Sequence, residues 1–133
     1  MTFKIICENL RNLPTRYWLP PFIYCLLIFI QSSFSKPFPE TPFSLNDKFL
    51  HVLAYAILGF LTTRAIFYFD LRYSKLLLFI LAVILSTLYG ISDEIHQYFV
   101  PGRMASLGDM ISDGVGSLIG AFCYFILIVL GGG

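Results

Sequence analysis

Two short stretches of this chain carry most of its chemistry. In YGISDEIHQYFVPGRMASLGD, Tyr89 to Asp109, three acids, a histidine and an arginine stand close together in a chain that is 57% hydrophobic and only 13% charged. In DKFLHVLAY, Asp47, His51 and Tyr55 recur every four residues. Carboxylate, imidazole and guanidinium groups serve proton transfer, phosphate recognition and metal ligation. Close carboxylates disfavour joint ionisation, and a desolvated carboxyl group keeps its proton near neutral pH, which prepares one acid and one base. The candidate catalytic groups are therefore His51, Asp93, Asp109 and Glu94, with His51 as a base oriented by Asp93 or Asp109. Arg103 is the candidate phosphate clamp, and Tyr55, Asp47, Gln97 and Asp113 complete the candidate substrate-binding set. His51, Asp93, His96 and Asp109 are also acceptable ligands for zinc or manganese. They form no short motif of the His-Glu-x-x-His kind, so the sequence requires no cofactor and leaves a divalent metal as an alternative.

The elements that must position these groups are apolar. A globule of 133 residues with 14 Phe and a mean hydropathy of +0.77 has too little interior to hide its side chains, so the bilayer is the expected solvent. Segments from Tyr17 to Ser33, Phe49 to Phe69, Leu76 to Gln97 and Met110 to Leu130 approach the ~20 helical residues that cross a hydrocarbon core. The expected fold is all-α, a compact four-helix transmembrane bundle over residues 16–130. The first span follows a long polar region and reads as retained, not as a cleaved signal. Residues 1–15 read as an amphipathic helix on the membrane surface, with Phe3, Ile6, Cys7, Leu10 and Leu13 on one side and Pro14 as its stop. Residues 131–133, all Gly, read as a linker scar. Cys7, Cys25 and Cys123 share no motif spacing, and a net charge of +1 gives no reason to expect a nucleic-acid partner.

Basic residues in short flanking loops set orientation. With both termini cytoplasmic, Lys4, Arg11, Arg16, Arg64, Arg72 and Lys75 fall inside and Lys36, Lys48 and Arg103 outside. Glu40, Asp47, Asp93, Glu94, Asp109 and Asp113 then gather at outer helix ends with both histidines. Asp47, His51 and Tyr55 stack on one face of the second span. On the third, Tyr89, Asp93, His96 and Gln97 share a face by the same spacing, whereas Glu94, at about 100° per residue, points away from His96. On the fourth, Ser112, Gly116 and Gly120 form a row of small residues that lets helices approach closely, within the bundle or between copies as an oligomer interface. Pro101 and Gly102 suit the centre of a type II turn that returns Arg103 over Asp93 and Asp109. The loop SKPFPETPFSLN, with three prolines, is expected to lie across the outer surface.

DKFLHVLAYAILGF, Asp47 to Phe60, and YGISDEIHQYFVPGRMASLGDMISDGVGSLIG, Tyr89 to Gly120, resemble the VanZ-like membrane proteins. The resemblance rests on Asp-Lys-x-x-His-x-x-x-Tyr, then Asp-Glu-x-x-Gln with Pro-x-Arg, then Asp in a Gly-rich last helix. It implies a compact four-span protein of the bacterial cytoplasmic membrane, in a family named for resistance to the lipoglycopeptide teicoplanin. The family pattern commonly has Asn where Asp113 stands, so this chain carries an additional acid there. An intramembrane ionisable group is a functional candidate by default. The expected activity is binding of, or hydrolysis or group transfer on, a lipid, a lipid-linked envelope precursor or a lipophilic glycopeptide antibiotic. The alternatives are a protective binding module without turnover, a polar network that only pins the helices, and a small transporter, which would need a dimer.

Overall fold

The computed structural model describes residues 15–35, 45–69 and 72–131. Four helices account for most of them: α1 (Thr15–Ser32), α2 (Leu45–Phe69), α3 (Lys75–Tyr98) and α4 (Leu107–Leu130), with no strand among the described residues. Each lies within a few residues of the expected span. The surface helix expected over residues 1–15 and most of the proline loop lie outside the described residues.

Local chemistry fixes the helix starts. Ser74 and Ser106 adopt extended backbone angles and accept hydrogen bonds from Leu77 N at 3.2 Å and Gly108 N at 3.1 Å, which caps α3 and α4. Between them, Gly102 takes φ 79° and Arg103 N donates to Val100 O at 3.1 Å. That is the expected turn: Pro101 holds one central position, and Gly102 supplies the positive φ at the other.

Three helices are long and apolar enough to cross a membrane, over Asn46–Tyr68, Lys75–Tyr98 and Leu107–Leu130, which makes this a multi-pass membrane protein. At 1.5 Å per residue, 24 residues reach about 36 Å. α1, with 18 residues, is shorter and is not among these three; Arg16, Gln31 and the pair Pro20 and Pro21 lie within it. The outward surface is that of a protein in lipid: Phe22, Leu53, Ile84 and Leu118 are all exposed, on four different helices.

Backbone contact holds the bundle's centre. A Cβ on Gly116 would fall on the carbonyl oxygen of Val52, one on Gly120 on that of Ala56, and one on Gly59 on that of Ser117. The small-residue row of α4 is therefore buried against α2 within one chain, where close approach provides packing that aliphatic side chains would prevent. At the end remote from the acids, Ile66, Phe67, Leu78 and Ala82 form an apolar cluster with Trp18, Phe79 and Tyr124. Tyr17 stacks on Tyr68 at 3.5 Å, and the Arg64 guanidinium lies 5.1 Å from the Tyr17 ring, so α1 is pinned to α2 there.

Replacing Gly120 by Leu is expected to destabilise the protein by at least about 3 kcal/mol, because the clash is with backbone and no rotamer relieves it. Gly114→Ala is the control: its Cβ would meet Thr87 Cγ2 at 3.5 Å, an ordinary contact. Thermal unfolding in detergent should show Gly114→Ala at or above wild type and Gly120→Leu far below it.

Candidate functional site

The antiparallel arrangement brings the end of α1, the start of α2, the end of α3 and the start of α4 together. Each junction is made by a polar side chain. Lys48 Nζ pairs with Asp109 Oδ1 at 3.1 Å, joining the starts of α2 and α4. The backbone N–H of Ser106 donates to Glu94 Oε2 at 3.1 Å, joining the end of α3 to the start of α4. Ser33 Oγ lies 3.0 Å from His96 Nε2, and Tyr89 donates its hydroxyl to Cys25 O at 2.6 Å, so α3 is stitched to α1 at two levels.

One turn above the α2–α4 glycine contact lies the inner cluster. His51 Nδ1 is 2.9 Å from Asp113 Oδ1 and 3.9 Å from Glu94 Oε1. Glu94 is 0% exposed and Asp113 1%. Their second oxygens differ in circumstance: Glu94 Oε2 has the Ser106 N–H, while Glu94 Oε1 and Asp113 Oδ2 have no hydrogen-bond partner. Tyr55, also 1% exposed, has an unpartnered hydroxyl. Gly90 makes room for this arrangement, since a Cβ there would stand 2.7 Å from Asp113 Cβ, 2.9 Å from Asp113 Oδ2 and 3.0 Å from the Tyr55 ring.

Beside the cluster is an open cleft of about 180 Å³ among α1, α2 and α3, lined by Gln31, Asp47, His51, Tyr55, Asp93 and Arg103 together with apolar neighbours. Asp93 accepts from Gln97 Nε2 at 2.9 Å through Oδ2, and its Oδ1 has no partner. Arg103 closes the rim by donating to Phe34 O at 3.2 Å, to Gln31 O at 2.9 Å and to Gln97 Oε1 at 3.3 Å. A cation on the last carbonyls of α1 satisfies acceptors that the helix leaves open and opposes its dipole. Further along the same three helices runs an apolar groove of about 150 Å³, lined by Trp18, Phe22, Cys25, Leu58, Leu85 and Tyr89 among others. Cys25 and Ile28, Leu58 and Tyr55, and Tyr89 and Asp93 are each one turn apart across the boundary between groove and cleft.

Most of the residues singled out by sequence converge here, with different pairings from those expected. The carboxylate that orients His51 is Asp113, whereas Asp93 and Asp109 were the expected partners. Lys48, not Arg103, meets Asp109; Arg103 turns instead to α1 and Gln97. His96 does not share the Asp93 pocket. It packs on the Phe29 ring at 4.6 Å and faces α1. Glu94 does point away from His96, yet toward the interior, so it belongs with His51 and Asp113. The sequence held a signal for this: Leu78, Ala82, Ser86, Gly90 and Glu94 recur every four residues, and all are buried. Small residues at that spacing mark the packed face, and Glu94 ends the row. Gly90 was missed because its importance lies in what occupies the space beside it. Two groups could hold a cation among the described residues, Asp47 with His51 and Asp109, and His51 with Glu94 and Asp113, each with one atom per residue within 4.8 Å of the others.

Among known proteins, a family model described as VanZ/LLP1 matches residues 8–128. No curated protein and no solved structure matches the chain.

Gly90→Ala is expected to push Asp113 off His51 without unfolding the bundle, since alanine favours the helix by about 1 kcal/mol while the clash falls on a side chain. Imidazole ¹⁵N NMR in a His96→Asn background, which leaves His51 as the one histidine, should show the Nδ1 resonance move. An unchanged resonance would mean that the His51–Asp113 contact does not depend on this glycine.

Proposed function

The chain belongs to the VanZ/LLP1 family, and from that membership and the form of the seam among α1, α2 and α3 we propose that it holds a lipid or lipid-linked envelope precursor. The site would lie at the extracytoplasmic face of the bacterial cytoplasmic membrane. The observation that carries this reading is the adjacency of polar cleft and apolar groove, one helical turn apart on the same three helices. From Ser32, lining the cleft, to Trp18, lining the groove, α1 rises about 21 Å at 1.5 Å per residue. That length suits a headgroup at one end and part of an acyl or isoprenoid chain at the other. Sites for small ligands combine an apolar lining with a few convergent polar groups, and this seam has both.

The chemistry at the head would be hydrolysis or group transfer at a phosphate or ester. Asp93, which lines the cleft, would take a proton from water as the water oxygen attacks the phosphorus or the ester carbon. His51 stands on the opposite wall, on α2, and would protonate the departing oxygen. Arg103 acts mainly on the protein itself: three of its donors hold the end of α1 and Gln97, which fixes the rim. A lipophilic glycopeptide antibiotic would fit the same division of head and tail, and the identity of the retained molecule separates the two.

Native mass spectrometry of protein extracted from its own membrane is expected to find a retained amphiphile. Leu50→Trp in the cleft and Leu85→Trp in the groove, both at exposed positions where folding tolerates bulk, should each reduce retention at least about tenfold, or 1.4 kcal/mol. Asp93→Asn should keep retention and stop conversion of the retained class. If nothing amphiphilic is retained, or if neither tryptophan alters retention, the reading is wrong.

A further inference from the structure

The inner cluster has more negative groups than positive ones to meet them. Asp93, Glu94, Asp109 and Asp113 are all buried. Lys48 meets Asp109, and the Arg103 side chain donates to carbonyl and amide oxygens. Among the described residues His51 alone faces both Glu94 and Asp113, and each of these acids keeps an oxygen with no hydrogen-bond partner. Isolated carboxylates in a low-dielectric interior are costly unless something positive stands between them. A bound ion would meet that requirement directly.

We infer that His51, Glu94 and Asp113 bind a divalent transition-metal ion through His51 Nδ1 and one oxygen from each carboxylate. Geometry supports this directly. Ligand atoms around an ion with bonds of about 2.0–2.2 Å stand roughly 3.0–3.5 Å apart. The separations of 2.9 Å and 3.9 Å from His51 Nδ1 bracket that range, and all three ligand atoms lie within 4.8 Å of one another. The supporting contacts are also those of a metal site. The Ser106 N–H fixes the second oxygen of Glu94, and Gly90 leaves space for the second oxygen of Asp113. One imidazole and two carboxylates are a nitrogen–oxygen set suited to zinc or manganese, and unlike the set magnesium or calcium usually takes.

The ion would take the place of the hydrogen bond between His51 Nδ1 and Asp113 Oδ1. His51 Nε2 would then carry its proton, in keeping with a donor role toward the cleft, and Asp93 would remain the base. The Asp47, His51 and Asp109 group is the weaker candidate, because Lys48 already occupies Asp109 Oδ1. The inference stands on the cluster and does not require the amphiphile reading.

The test uses the full chain in detergent, stripped with chelator and titrated with Mn²⁺, the free ion being followed by EPR and the bound ion by elemental analysis. One ion per chain is expected, with Glu94→Gln and Asp113→Asn each weakening binding at least about tenfold and Asp47→Asn changing it less than either. In the His96→Asn variant, a ¹⁴N coupling to the bound Mn²⁺ must arise from His51, and it reads ligation even if a carboxylate variant fails to fold. No bound ion, no ¹⁴N coupling, or a loss of binding caused by Asp47→Asn and not by Glu94→Gln would each overturn the inference. Amphiphile retention is measured separately, so a protein that retains its amphiphile yet takes up no added Mn²⁺ sinks this proposal alone.

Discussion

The close approach of α2 and α4 is the constraint from which the site follows. Gly116 and Gly120 present no side chain to Val52 and Ala56, so the two helix backbones touch. Helices in contact at that level have little freedom in register, and the next turn places Asp113 against His51 at 2.9 Å. Any residue larger than glycine at the seam would separate the axes and take the imidazole out of reach of the carboxylate. Packing in lipid depends on such contacts because apolar side chains gain little by leaving hydrocarbon for one another. The row that stabilises the fold is therefore also the ruler that spaces the polar cluster.

The cluster itself does not read as a device for stability. Burying an ion pair costs desolvation that its attraction seldom exceeds, and among the described residues the acids outnumber the cations that touch them. A network evolved only to pin helices would be better paired than one with unpartnered oxygens on Asp93, Glu94 and Asp113. The pairs that do hold helix ends together, Lys48 with Asp109 and Arg103 with the end of α1, sit around the cluster and are largely satisfied. Structural pairing and unpaired polarity are thus separated in space, the first forming the rim and the second the interior.

Much of this was legible in the sequence. Length and apolarity located the four helices to within a few residues, and connectivity alone brought the acids and histidines to one end. The Asp47, His51 and Tyr55 row gave the correct inward face of α2, since Tyr55 and Leu58 are each 1% exposed. On α3 the spacing put Tyr89, Asp93, His96 and Gln97 on one face and Glu94 away from His96; in the fold Tyr89 and His96 reach sideways to α1, Asp93 and Gln97 line the cleft, and Glu94 is buried inside. The end of α3 has neighbours on more than one side, so Asp93, Glu94 and Gln97 are all buried although they span a wide arc. Helical periodicity gives angles within one helix; it carries no information on how many partners surround it. The His51–Asp113 pairing was out of reach for a related reason, because it depends on the register between two helices, which only the glycine contact determines.

α1 differs from α2 and α4 in how it is held. Beside the packing of Trp18 and Ile28 into the apolar clusters, its attachments are Tyr17 and Tyr68 with Arg64 at one end, the Tyr89 hydroxyl on Cys25 O in the middle, and Ser33 with His96 and Arg103 on the last carbonyls at the other. No glycine seam of the α2–α4 kind joins it to its neighbours, and Pro20 and Pro21 remove two backbone donors from its early turns. Both the cleft and the groove have α1 as one wall. Of the groups behind that wall, His51 and Asp113 sit on the glycine-joined pair, α2 and α4, and Glu94 on α3. The wall in front is thus held by hydrogen bonds, ring contacts and the packing of Trp18 and Ile28, whereas the His51–Asp113 spacing behind it is set by the backbone contact of α2 with α4.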